Sequence, residues 1–341
     1  MLKIFVFSTF ILSMINTVFC ENIQFGGIEI SFSESKAPQD INETRFLYNR
    51  LLEYATASEL AYEDDDKILE KYPDAEIGLL EDTNVKFFVV KNHKKKTQFI
   101  AFRGTAGFTN ILIDATFWPH KDETIGVNVH KGFFKVAREF FKEGIQKLNP
   151  KYQTTLTGHS LGAAVAALVG MKLQKASYKV QEVVTFGQPR FTDIKGAKYI
   201  SGLPVVRVGE MRDLITFLPP LWITDFQHFG DKLEFRDGEG YEYINNNQEN
   251  TIDNIVALQK PEVLALWLQF LDEHSQEPIK SPEYIEIKKY LSTVTLDHEL
   301  LGNWTPFHRI ANYISEIKRW FIDSKTKEAK KNKFYNKSLT N

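Results

Sequence analysis

Apolar and polar positions alternate along the chain with two periods, and the period changes mark the expected elements. From Asp40 to Leu60 the residues Phe46, Leu47, Leu51, Tyr54, Ala55 and Ala57 recur at helical spacing, and Asn42-Glu43-Thr44 supplies a polar start, so the pattern predicts a long amphipathic helix. The acidic run Tyr62-Glu63-Asp64-Asp65-Asp66 reads as a solvated helix end or turn, because no further ligand spacing follows that would make a calcium loop. Val85 to Val90 and Thr97 to Phe102 are rich in β-branched and aromatic residues, and the lysine-bearing segment 91–96 between them predicts a hairpin with a basic, exposed turn. Helical spacing returns at His130 to Leu148, where Phe133, Phe134, Ala137, Phe140, Phe141, Ile145 and Leu148 share one face and Asn149-Pro150 stops the helix.

The next segments alternate in type. Tyr152 to Thr157 reads as a strand, Leu161 to Lys175 as a helix of small residues, Val180 to Phe186 as a strand, and Pro204 to Val208 as a further strand. Such alternation predicts an α/β protein with a mostly parallel central sheet and helices on both faces. Beyond about Gly240 the pattern weakens: Asn245-Asn246-Asn247-Gln248 is loop-like, Glu262 to Asp272 reads as a helix, and the lysine-rich tail from Lys325 is expected to fray.

The chain's first twenty residues change the picture of where it works. Lys3 precedes an apolar stretch from Ile4 to Phe19, broken only by Ser8, Thr9, Ser13 and Asn16. That stretch is shorter than the roughly 18 to 20 apolar residues of a spanning helix, so residues 1–20 are expected to be a signal peptide and the protein to be secreted or lumenal. Cys20 is the single cysteine. If it leaves with the peptide, the mature chain has no disulfide and relies on its core, as a chain of 341 residues can. Sequons at Asn42, Asn303 and Asn336 are compatible with glycosylation. A hydrophobic share of 43% and a net charge of −2 describe a globular protein with no overall field to recruit nucleic acid, so any partner is read by a local site.

Candidate chemistry centres on Gly158-His159-Ser160-Leu161-Gly162, a G-x-S-x-G motif between an expected strand and an expected helix. On such a turn the serine is held in a strained conformation with its hydroxyl presented, while the glycines remove side chains that would clash with strand and helix. A serine hydroxyl needs a histidine base, and the imidazole needs a carboxylate to set its tautomer. Downstream carboxylates include Asp193, Asp213, Asp225, Asp231, Asp237, Asp253, Asp272 and Asp297; Asp213 is favoured because it follows the Val205-Val206-Arg207-Val208 strand at its expected C-terminal end. The histidines beyond it are His228, His274, His298 and His308, and residue physics leaves His298, His228 and His308 open.

Five motifs in series carry a family resemblance: Phe102-Arg103-Gly104-Thr105, Val129 to Phe133, Gly158 to Gly162, Thr185-Phe186-Gly187-Gln188-Pro189-Arg190, and Asp213 to Pro220. In order and spacing they resemble the class 3, or filamentous-fungal-type, triacylglycerol lipases of the α/β-hydrolase fold, over roughly residues 40 to 310. The resemblance implies Ser160 as nucleophile, Asp213 as triad acid and His298 as base, the last through its Asp297-His298 context; His228 matches a non-catalytic family histidine. It also implies an oxyanion hole from Thr105 and the Leu161 backbone N–H. The segment from Ala106 to Asp114 is similar to the family's lid, and Phe108, Ile111 and Leu112 fall on one face of it if it is helical.

The function so implied is cleavage of lipid carboxylic esters, triacylglycerol first, at an oil–water or membrane interface, by a monomer that uses no metal and no cofactor and binds no nucleic acid. A phospholipase or soluble-ester esterase on the same machinery, and an inactive lipid-binding protein, are the alternatives. Two departures from the family stand out. Residues 239–286 look like an insertion, with Leu264, Trp267, Leu268 and Leu271 at helical spacing, and the single cysteine rules out the family's disulfide pairs. The domain is thus expected to run from 21 to 310, followed by a helical, basic tail over 311–341.

Overall fold

The computed structural model describes residues 41–104, 119–199, 202–219, 226–236, 240–244, 265, 288–289, 291–292 and 308–322. Its first helix, Ile41–Leu60, and a short helix, Asp65–Lys71, lead into three antiparallel neighbours, β1 (Glu76–Leu80), β2 (Val85–Asn92) and β3 (Thr97–Phe102). β2 and β3 form the expected hairpin. Next come β4 (Pro119–Asp122), β5 (Val127–His130), a helix at Lys131–Glu139, β6 (Gln153–His159), a helix at Leu161–Lys175 and β7 (Lys179–Phe186). β8 (Thr192–Asp193), a short helix at Ile194–Tyr199, β9 (Val205–Glu210), β10 (Phe226–Gln227), β11 (Asp231–Arg236) and β12 (Gly240–Ile244) follow, and residues 310–322 are helical.

Eight strands form the central sheet in the order β1-β2-β3-β6-β7-β9-β11-β12, and β10-β8-β5-β4 form a second, small antiparallel sheet. From β3 to β11 each pairing is parallel, while β1, β2 and β12 add antiparallel edges. β3 and β6 are buried on both faces along nearly their whole length; β3 accordingly ends in a continuous apolar run, Phe99 to Phe102, while β6 buries three threonines beside Leu156. One face of the sheet, with Phe87, Ile100, Phe102, Leu156 and Val183, packs on the helices Lys131–Glu139 and Leu161–Lys175. Opposite, Val184, Phe186, Val208, Leu233 and Phe235 meet Leu51 and Ala55 of the first helix and Ile310, Tyr313, Ile314, Ile317 and Trp320 of the last. This is the mostly parallel, helix-flanked sheet expected from the alternation of elements, and it agrees with the α/β-hydrolase fold that the resemblance implies.

The last helix packs on the core. Its buried positions recur at helical spacing, and each large apolar side chain so covered contributes about 1.5–3 kcal/mol relative to exposure. Phe321 stacks on Tyr48 of the first helix at 3.9 Å. The helix expected over 130–148 is modified. It is α-helical only at Lys131–Glu139, widens into a π turn at Phe140–Gly144 and tightens into a 3-10 turn at Ile145–Lys147. A side chain on Gly144 would lie 2.5 Å from the Phe140 ring, so the glycine makes room for that ring in the core. Of the segment expected to be an insertion, residues 240–244 form β12 and continue the central sheet, and Ala265 is helical. The rest of that segment, the expected signal peptide, the expected lid residues Phe108, Ile111 and Leu112, and the tail from Lys325 lie outside the described residues. Among the described residues no helix is long and apolar enough to cross a membrane.

Register brings the site together. Phe102 pairs with Gly158, His159 with Phe186, and Phe186 with Val208, so the C-terminal ends of β3, β6, β7 and β9 lie side by side. The segments that leave those ends carry Gly104, Ser160, Gly187 and Asp213. Side-by-side C-terminal strand ends are where open parallel sheets place their chemistry.

Candidate active site

Ser160 sits between β6 and the helix Leu161–Lys175 with φ 60° and ψ −127°, a conformation that costs a non-glycine residue free energy and persists only where its surroundings enforce it. Two close approaches enforce it. A Cβ on Gly158 would lie 2.3 Å from the Gly162 carbonyl oxygen, and one on Gly162 would lie 2.3 Å from the Phe102 carbonyl oxygen. Both neighbours are backbone and cannot swing away, so the motif's outer positions exclude any side chain. The Ser160 N–H donates to the Phe186 carbonyl at 3.0 Å and ties the turn to β7. Its Oγ is buried and has no hydrogen-bond partner among the described residues. Leu161 is the first residue of the helix, where a backbone N–H has no intrahelical acceptor and points toward developing negative charge.

Asp213 lies beyond β9 as the cap of the 3-10 turn Leu214–Phe217, and its carboxylate is fully used. Oδ1 accepts the Ile215 N–H at 3.0 Å, while Oδ2 accepts the His308 Nδ1–H at 2.8 Å and the Tyr313 hydroxyl at 2.6 Å. Burial alone would raise this carboxyl's pKa, but the His308 ring and these hydrogen bonds outweigh it and hold the group below its ordinary value. Tyr313 is pushed the other way: burial, then the Asp213 charge, raises its hydroxyl well above the usual tyrosine value, so it remains a donor. His308 is close to the nucleophile turn, its ring centroid 4.6 Å from that of His159. Because Nδ1 carries the proton toward Asp213, a neutral His308 has its lone pair at Nε2.

The described imidazole beside Asp213 is not the one expected from the sequence. His298 lies outside the described residues, and the imidazole bonded to Asp213 belongs to His308. The position opposite Asp213 is occupied from the start of the last helix, whose Tyr313 reaches the same oxygen. His228 is buried and donates Nε2–H to the Thr216 carbonyl at 2.7 Å. Asp193, another candidate acid, caps the turn at Gly196 and bonds Asn128. Thr105 lies outside the described residues, but its neighbour Gly104 has a Cβ direction aimed 2.6 Å from the His159 carbonyl oxygen, so the end of β3 runs against the nucleophile turn. Tyr313 was missed by sequence reasoning, although the apolar spacing of Ile310, Ile314, Ile317 and Trp320 around it was there to be read.

Residues 99–222 match the family model described as Lipase (class 3). The lipase of Rhizomucor miehei is 33% identical over 172 residues, covering 47% of this chain and 47% of that protein. The lipase of Rhizopus niveus is 34% identical over 156 residues, covering 42% of this chain and 39% of that protein. The matched region therefore spans about half or less of these curated relatives. The solved structure of Rhizomucor miehei triacylglyceride lipase superposes with a TM-score of 0.51 at 26% identity, covering 64% of this chain and 91% of that one. The matched residues include the Ser160 turn, β7 with the Gly187 bend, and Asp213, so the region 99–222 is similar to the class 3 lipases.

Proposed function

We propose that the protein is a serine hydrolase of lipid carboxylic esters, with triacylglycerol as its first substrate class, in which Ser160 is the nucleophile, His308 the base and Asp213 the acid that orients it. The observation that carries this reading is the buried His308–Asp213 hydrogen bond of 2.8 Å beside a serine held at φ 60°. His308 Nε2 takes the Ser160 hydroxyl proton as Oγ attacks the ester carbonyl, and the resulting imidazolium is stabilised by Asp213. The negative charge on the former carbonyl oxygen is met by the Leu161 backbone N–H and by Thr105; losing one such donor typically costs about 10²–10³ in rate. Collapse expels the alcohol, which leaves with the proton from His308. Water, deprotonated by His308, then releases the fatty acid and restores Ser160.

The segment from Ala106 to Asp114, which carries Phe108, Ile111 and Leu112, is read as a lid whose apolar face gains burial at a lipid surface. The apolar stretch of residues 1–20 supports export, and a monomer that binds no nucleic acid completes the reading. The test is the initial rate of wild type and Ser160→Ala on short- and long-chain glycerol esters, below and above the concentration at which each forms an interface. The expected result is an inactive Ser160→Ala and a wild-type rate on long chains that jumps with the interface. Activity confined to dissolved short esters, or to phospholipids, would move the substrate class; hydrolysis of no ester would leave a lipid-binding protein.

A further inference from the structure

His159 takes no part in the steps above, yet its buried ring lies between the two sides of the site. Its Nε2 meets the backbone carbonyl oxygen of His308, which can only accept, so Nε2 carries the hydrogen. Burial, reinforced by the neighbouring His308, pushes its pKa down to about 3, so the ring is neutral and Nδ1 is an acceptor. The partner at Nδ1 is the Tyr62 hydroxyl at 2.9 Å, which therefore donates. The same hydroxyl lies against Gly104 at the end of β3. A side chain at Gly104 would lie 2.0 Å from the Tyr62 hydroxyl oxygen, so the close approach depends on glycine there. At the other end the Asn312 N–H bonds Arg309, at 2.9 Å, in the first turn of the last helix, while the His308 carbonyl faces the His159 ring.

Both donors in this line point the same way: Tyr62 O–H to His159 and His159 N–H to His308. We propose that His159 is a positioning residue which, as the neutral Nε2–H tautomer, holds the backbone of His308 and, through Tyr62, couples the base to the end of β3 that leads into Thr105. The proposal rests on the serine hydrolase reading. Its competitor is a histidine that merely fills the core, and the two differ in what a non-bonding ring replacement does to the base.

The experiment compares His159→Leu, His159→Gln and Tyr62→Phe in the full chain by kcat and KM on a soluble short-chain ester, by Tm, and by the downfield proton resonance of the His308 Nδ1–H. Leucine removes both bonds, whereas the glutamine amide can still donate to His308 and accept from Tyr62. His159→Leu is expected to lower kcat by about 10²-fold, the scale of an ångström-sized misplacement, with KM within about twofold and a shifted His308 resonance. His159→Gln is expected to return kcat to within about fivefold of wild type. Equal losses for leucine and glutamine, or an unmoved resonance with wild-type kcat in His159→Leu, overturn the proposal. If His159→Leu does not fold, Tyr62→Phe decides: a lowered kcat with a shifted resonance supports it, and wild-type values overturn it. If wild type hydrolyses no ester the hydrolase reading has failed, and the resonance in the variants still judges the coupling separately.

Discussion

Around Ser160 the chain is held by backbone packed against backbone, whereas around Asp213 it is held by side chains that meet from positions about a hundred residues apart. The first region needs only five consecutive residues and the strand beside them: Gly158 and Gly162 leave no room for a Cβ, and the turn follows. The second needs the register of β7 and β9, the 3-10 cap at Asp213, and a helix near the end of the described chain to deliver His308 and Tyr313. Steric enclosure gives the nucleophile a geometry that does not depend on protonation. Hydrogen bonding gives the acid–base pair its tautomer, which is the property that catalysis requires of it.

Filling the first region is expected to have the largest effect. Gly162→Ala places a methyl group 2.3 Å from the Phe102 carbonyl oxygen. Because that oxygen is backbone, the turn must open, and a loss of about 3 kcal/mol in stability, at the upper end for overpacking, is expected together with a collapse of kcat. Denaturant unfolding and ester hydrolysis on the same preparation check it. Unaltered stability and kcat would mean that the turn is not sterically set.

The second region breaks more gently. Tyr313→Phe removes one charge-assisted donor from Asp213 Oδ2 and leaves His308 and the Ile215 N–H in place. A loss of about 1.5–3 kcal/mol is expected, with the carboxyl's pKa moving up because a bond to its charged form is gone. In the pH–rate profile the acidic limb should move with it, while KM stays put. A variant with an unshifted profile would reduce Tyr313 to packing.

The smallest effect sharpens the comparison through pH. His130 and His159 are both neutral in the fold, with pKa values pushed down to about 3 by burial. As pH falls below the ordinary histidine value, the unfolded chain binds these protons before the folded one does. Stability is therefore full above about pH 6.5 and declines as pH falls, by at most about 1.4 kcal/mol per pH unit for each ring. Between pH 7 and 5 the slope of unfolding free energy measures both rings, and His159→Gln should remove one share of it. A slope that does not change in that variant would mean that His159 is not held neutral.

The same contrast explains what could be read from the chain. The nucleophile turn is contiguous, so its glycines and serine announce it, and Asp213 was found because a strand of β-branched residues precedes it. His308 was not separable from His298, because a hydrogen bond across 95 residues leaves no local mark, whereas the Asp297-His298 pair supplies a local one. β11 was hidden for a different reason. Lys232 and Glu234 occupy buried positions and neutralise each other at 2.7 Å, so the strand reads as charged although Leu233 and Phe235 enter the core. β4, with the sequence Pro119-His120-Lys121-Asp122, carries almost no apolar signal and exists through its pairing with β5. The packing of the last helix was hard to read because the lysines that follow it dominate the composition, while its own apolar spacing from Ile310 to Trp320 is regular.

The most direct test of the account is the pre-steady-state rate of acyl-enzyme formation in His308→Ala and His298→Ala, both checked for folding by Tm. If His308 is the base, His308→Ala should lose on the order of 10⁴–10⁶ in that rate while His298→Ala stays within about threefold of wild type. The reverse pattern, with His298→Ala inactive and His308→Ala active, would contradict the account and return the base to His298.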